Sequence, residues 1–284
     1  MANHARASVH CGTTSRQPCG PSAGAWFYHL PFLYSAHGVQ RGASGGHIAV
    51  GSDRPCLNRA TFIDLGANAG DTIRRFYNTT PGPSEFGPVL TRGESNPFSF
   101  CVHSFEANDH FQRQLEDTAR AFASQVRAAG GNLVIHNATA AVGAAHEADS
   151  GGGDFVQFYR GSPQKNQLGA SSVVSEKRDV RRFARQHVRA VNVAQWLEDH
   201  TTEKRLRTNE HIVALKLDIE GAEYEILRDL TTSGLACRHL DYLFIEWHRK
   251  IKLPEKSVIP PEIDDSLTWL LSSSRCGVNV IRYA

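Results

Sequence analysis

Acidic side chains are missing from the first 52 residues; the first is Asp53. The same stretch carries Arg6, Arg16 and Arg41 among many Gly, Ser, Ala and His. That composition fits an organelle transit peptide, and it equally fits a low-complexity tail or an ill-defined chain start. A cleavable secretory signal fits worse, because no clean apolar stretch lies near the N-terminus. No apolar run anywhere approaches the ~20 residues of a membrane span. The most apolar N-terminal piece, "WFYHLPFLY", is short and interrupted by Pro31. Stable membrane insertion is therefore not expected. A formal net charge of only +2 makes no case for nucleic acid as a partner. The six cysteines form no C-x-x-C pair and no zinc-like spacing. They read as reduced thiols of an intracellular protein, cytoplasmic or organellar. Asn78-Thr79-Thr80 is formally a glycosylation triplet, of a kind that often arises by chance. Nothing in the sequence speaks to oligomeric state.

What is present is globular. At 284 residues, 40% hydrophobic and 21% charged, the chain can bury one sizeable core. A low-complexity extension over 1–55, disordered or targeting, precedes one domain over 56–284. In that domain apolar runs alternate with segments of helical spacing. "ATFIDLG" reads as a buried strand and "DTIRRFY" as a helix start. Residues 78–97 hold four prolines and three glycines and read as a loop. "FSFCVHSFEAN" and "NLVIHNATAAV" read as strands on either side of a helix stopped by Gly130-Gly131. "HIVALKLDIEG", "AEYEILRDLTTSG" and "LDYLFIEWH" continue as strand, helix and strand, and "VNVIRY" as a last strand. Such alternation predicts an α/β fold with a mostly parallel sheet covered by helices on both faces. Ligands then bind beyond the carboxyl ends of the strands. Those ends carry Asp64, Glu106, Asn137, Asp218 and Glu246.

The turn "FIDLGANAGDT" over 62–72 departs from the dinucleotide fingerprint at two places. Asn68 replaces the glycine that lets a pyrophosphate approach, and Asp71 stands where the third glycine belongs. An acid at a helix start repels phosphate. A cationic, phosphate-free nucleoside such as S-adenosylmethionine suits the turn better. Glu106 follows Gly66 by 40 residues, the excess over the usual spacing being the Pro/Gly loop. Its carboxylate can accept from both ribose hydroxyls, or can simply cap the helix that follows. Asp218, Glu220 and Glu223 cluster about Gly221. The helix dipole accounts for Glu223 as capping but not for Asp218, which needs a partner such as Lys216. Glu246 and His248 stand two apart, and a histidine among carboxylates is a candidate general base; a structural histidine is the alternative. Ligand spacing is too loose to predict a metal.

Together, "FIDLGANAGDT", "HSFEAN", "LKLDIEGAEYEIL" and "LFIEWH" resemble the FkbM-type S-adenosylmethionine-dependent methyltransferases, over about 60–250. The resemblance implies a Rossmann-like class I methyltransferase fold and methylation of a hydroxyl on a sugar, glycan, polyketide or lipid-like acceptor. It implies that Asp64, Gly66, Ala67, Asn68 and Gly70 line the methionine part of the cofactor. Glu106 would hold the ribose, and Asp218 with Glu220 would stand beside cofactor and acceptor. His248 would be the base, oriented by Glu220 or Glu246. The 160–176 stretch would be an acceptor-side loop. Two departures stand out: Asn137 replaces the acid expected near adenine, and one candidate strand stands where the fold has a C-terminal hairpin. Either the last strand is missing or an earlier segment replaces it. A nucleotide-dependent oxidoreductase and a catalytically silent binding protein remain the alternatives.

Overall fold

Every residue from Thr61 to Leu65 is buried, as a strand covered on both faces requires. The computed structural model describes residues 32–34, 40–42, 47–51, 56, 59–93, 95–143, 155–159, 185–208, 211–248 and 262–282. The expected acceptor-side loop, 160–176, and residues 1–30 of the expected extension lie outside them. The strands in chain order are β1 (Phe32–Tyr34), β2 (Gln40–Gly42), β3 (His47–Gly51), β4 (Thr61–Leu65), β5 (Cys101–Glu106) and β6 (Asn132–Asn137). They continue as β7 (Thr139–Val142), β8 (Phe155–Tyr159), β9 (Arg185–Asn192), β10 (Val213–Leu217), β11 (Tyr242–Ile245) and β12 (Asn279–Arg282). The helices are α1 (Asp71–Tyr77), α2 (Gly87–Arg92), α3 (Gln112–Ala128), α4 (Val193–His200), α5 (Glu223–Thr232), α6 (Leu235–His239) and α7 (Glu262–Ser272).

Nine strands form the main sheet in the order β1-β2-β3-β6-β5-β4-β10-β11-β12. From β6 to β12 all neighbours are parallel, but β1, β2 and β3 join antiparallel at the β6 edge. The sheet is thus mixed rather than mostly parallel. The cause lies in the segment read as an extension: His47–Gly51 pairs with β6 from Asn132 to His136, so the sheet begins before residue 56. At the other edge β12 pairs with β11 in parallel. Among the described residues no antiparallel strand flanks β11. The strand read over 132–142 is two. Ala138, at φ 50°, turns the chain out of β6, and β7 joins a separate sheet of order β7-β9-β8. The loop read over 78–97 contains α2, with Pro88 in its first turn, where a missing N–H costs nothing.

Alternation along the strands sorts the core into two layers. Phe62, Val102, Leu133, Ala214 and Phe244 face α1, α2 and α3. Ile63, Leu65, Phe105, Leu215 and Ile245 face α4, α5, α6 and α7. Helices on both faces are as expected for the fold class. Phe62 lies at the centre of the first layer, stacked on Phe76 at 4.3 Å and edge-on to Phe86 at 5.2 Å. No helix among the described residues is long and apolar enough to cross a membrane.

Four cysteines are not the reduced thiols expected. Cys56 is bonded to Cys101 and Cys237 to Cys276, with Cα atoms 5.7 and 4.5 Å apart. The sequence hid these pairs because 45 and 39 residues separate the partners, and the sheet brings them together. Closing loops of that size stabilises by about 4 kcal/mol each on the chain-entropy account.

Truncating Phe62 removes a ring with no solvent exposure. Phe62→Ala should cost roughly 3–5 kcal/mol, read as a lower denaturant midpoint with the slope unchanged.

Candidate functional site

Strand order reverses between β4 and β10. From β4 the chain steps outward to β5 and β6, then returns to β10 and continues to β11. A crevice opens beyond the carboxyl ends at such a switch point, and the predicted acids stand around it.

Its floor is ionic. Ser104, Asp64 and Lys216 occupy one register row across β5, β4 and β10. Lys216 has no exposure, and its Nζ lies 3.0 Å from Asp64 Oδ1 and 3.3 Å from Asp218 Oδ2. It also donates to the Gly66 carbonyl at 2.9 Å. Burial pulls this ammonium down, but Asp64 and Asp218 outweigh burial and hold its pKa above the ordinary value. Ser104 donates to Asp64 Oδ2 at 2.9 Å. Asp64 is therefore sealed under the turn, its carboxylate committed to Lys216 and Ser104. Asp218, part-exposed at the strand end, meets the partner expected for it.

The turn itself follows β4. Gly66 has φ 90°, and a Cβ there would collide with the Asp218 carbonyl. This glycine allows two loops to touch. Asn68, at φ 52°, takes the left-handed conformation that asparagine tolerates. Its N–H donates to Glu106 Oε2 at 2.7 Å, and Asn108 N–H donates to Glu106 Oε1 at 2.7 Å. Burial pushes the Glu106 carboxyl up to about 7, with both N–H donors and Lys216 opposing. Gly70, at φ 87°, ends the turn. Asp71 does not shape the site: it is largely exposed and pairs with Arg74 at 2.8 Å. The acid beside the turn is Glu106. Next to it, Asn108 Nδ2 and Asn137 Oδ1 are buried and have no partner among the described residues.

The opposite wall is built on His248. Its Nδ1 lies 2.8 Å from Glu223 Oε1. Its Nε2 faces Glu246 at 3.7 Å and Asp218 and Glu220 at 3.9 Å. These last distances are too long for hydrogen bonds, so the contact that orients the ring comes from Glu223, not from Glu220 or Glu246. Glu223 has no exposure and also accepts from Ile219 N–H at 2.9 Å and Gly221 N–H at 2.7 Å. It thus ties down the loop before α5 rather than capping the helix, and the same carboxylate fixes the imidazole. Burial pulls His248 down, but the Glu223 hydrogen bond and the charges of Glu223, Glu220 and Asp218 raise it to about 9. Glu246 is also raised, by burial first and then by Asp218. Asp218, Glu246 and His248 bring ligand atoms within 4.8 Å of one another, the span of a divalent-cation site. A metal there would have to displace the proton that the surrounding carboxylates favour on His248.

The structure thus gathers every predicted strand-end acid except Asp64 around one crevice, with His248 and the Gly66–Gly70 turn. Sequence reasoning missed three contributors: Ser104, Asn108 and Glu223 as an orienting group. Glu223 alone had a signal, its position two residues past Gly221 at a helix start.

The family model described as "Methyltransferase FkbM domain" matches residues 64–277. The chain belongs to the FkbM methyltransferase family. The match spans both walls of the crevice, from Asp64 past His248, and it sets aside the oxidoreductase alternative. No curated protein and no solved structure matches the chain.

The raised His248 pKa has a stability consequence. Its folded value lies above the unfolded value of about 6.5, so the stabilisation is fully present below pH ~6.5. It is lost as pH rises through about 9. Unfolding free energy should fall across that window by on the order of 2–3 kcal/mol. In Glu223→Gln the fall should flatten; an unchanged slope in that variant would refute the assignment.

Proposed function

We propose that this family member transfers the methyl group of S-adenosylmethionine to a hydroxyl oxygen on a sugar, glycan, polyketide or lipid-like acceptor. The observation that carries the reading is the concentration of carboxylates at one crevice. Among the described residues, the cations facing Glu106, Asp218, Glu220, Glu223 and Glu246 are Lys216 and His248. That field favours a cationic, phosphate-free cofactor over a pyrophosphate, and a neutral acceptor over an anionic one. When bound, S-adenosylmethionine supplies an electrophilic methyl group on a sulfonium.

The residues present fit the cofactor. Glu106, with each oxygen already anchored by a backbone N–H, keeps lone pairs for the two ribose hydroxyls. The unpartnered Asn137 Oδ1 and Asn108 Nδ2 offer one buried acceptor and one buried donor for a nucleobase edge. This supports adenine recognition without the acid expected at position 137. Asp218 and Glu220 attract the cofactor's ammonium group. Asp64 acts through Lys216, which ties the turn to the loop after β10.

His248 takes the proton of the acceptor hydroxyl. It must first lose its own, since at neutral pH the ring is held as an imidazolium. In the neutral ring, Nδ1–H donates to Glu223 and the Nε2 lone pair faces the space among Asp218, Glu220 and Glu246. Alignment and charge, more than bond-making by the protein, then lower the barrier.

Thermal shift with S-adenosylmethionine, its demethylated product and NAD(P) tests the cofactor. Saturation near 100 times Kd should add about 2.7 kcal/mol with the first two ligands only. A shift with NAD(P) alone would sink the reading. Glu106→Ala should weaken product binding at least 10-fold. In the wild type that binding should also weaken as pH falls through about 7, where Glu106 takes up its proton. A labelled-methyl screen of acceptors, with and without chelator, identifies the substrate and any metal need. On that acceptor the rate should climb with pH toward about 9. Glu223→Gln should move the climb to lower pH, and His248→Ala should abolish the rate while cofactor binding persists.

A further inference from the structure

Two disulfides and one exposed side chain bear on where the protein folds and what is attached to it. Disulfides form and persist in oxidising compartments and are rare where glutathione keeps thiols reduced. Here Cys56–Cys101 is made at the start of β5 and Cys237–Cys276 joins α6 to the segment before β12, and Cys101 and Cys276 are buried. In such a compartment an Asn-x-Ser/Thr triplet is an acceptor for N-linked glycan, provided its asparagine faces solvent.

The chain has two such triplets, and the fold separates them. Asn137-Ala138-Thr139 sits where the chain passes from β6 to β7; Asn137 is 3% exposed and Thr139 2%. A glycan there would have to displace core. Asn78-Thr79-Thr80 follows α1 directly. Asn78 is exposed, Thr80 is exposed, and bends over 81–84 carry the chain on. Asn78 is the C-cap of a helix whose first turn opens at the crevice. Seven helical residues place it about 10 Å from that turn, so a glycan at Asn78 leaves the crevice open.

We propose that the protein matures in an oxidising, glycosylating compartment and that Asn78 carries an N-linked glycan. The proposal does not rest on the methyltransferase reading. Each cysteine pair gives two electrons and two protons to a disulfide-exchanging oxidoreductase. At Asn78 the carboxamide nitrogen bonds the anomeric carbon of a polyprenyl-diphosphate-linked oligosaccharide. The carbon–oxygen bond to the diphosphate breaks, the lipid diphosphate leaves, and the nitrogen loses one proton.

The test is peptide mapping of the full chain isolated from its own cells, alkylated without reduction and then treated with a glycan-releasing amidase in heavy-oxygen water. The peptide Phe76–Arg92 should carry labelled aspartate at position 78, while Asn137 should be recovered as asparagine. Cys56, Cys101, Cys237 and Cys276 should escape alkylation. Thr80→Ala, which keeps Asn78 but destroys the triplet, should lose the label and retain cofactor binding. Unmodified Asn78 in the isolated protein, or alkylation of any of the four cysteines, overturns the proposal.

Discussion

A buried lysine holds the crevice together. An ammonium with no solvent exposure costs several kcal/mol unless charges and acceptors surround it. Lys216 meets that requirement with Asp64, Asp218 and the Gly66 carbonyl. Each comes from a different part of the site: the end of β4, the loop after β10, and the turn. Satisfying the lysine therefore fixes these segments relative to one another. The contact between Gly66 and the Asp218 carbonyl, too close for any side chain, follows from the same constraint.

From that anchor two carboxylates are set to different ends. Glu106 and Glu223 are both buried and both accept two backbone N–H groups. Glu106 has no full cation in hydrogen-bonding contact, and burial leaves its carboxyl close to half-protonated at neutral pH. Glu223 meets the His248 ring and shares its charge, which lifts the imidazole far above its usual range. Two glutamates with similar backbone contacts thus differ through one neighbour. The first is suited to accept from a neutral diol, the second to steer a histidine.

The helix and strand pattern was legible because the fold is layered. Burial on both faces writes continuous apolar runs such as Thr61–Leu65 and Val213–Leu217, and strand-end acids stand out against them. Asp218, Glu220, Glu246 and His248 could be named from the chain alone on that basis. Asp71 was misjudged because position at a helix start does not say whether a nearby arginine takes its charge. The antiparallel edge was missed because the Gly- and Ser-rich composition around His47–Gly51 hides a short strand whose apolar positions are only Ile48, Ala49 and Val50.

What the sequence determined by itself was local: which segments form most of the strands and helices, and which strand ends bear charge. These follow from side-chain periodicity, whereas the left-handed turns at Ala138 and Glu220 carry no such signal. Pairing was decided only by tertiary structure. Asp64 with Lys216, Glu223 with His248, Cys56 with Cys101 and β3 with β6 all join residues distant in sequence. The energy of a charge, a thiol or a strand edge depends on what lies within a few ångströms, and chain order alone does not encode that neighbour.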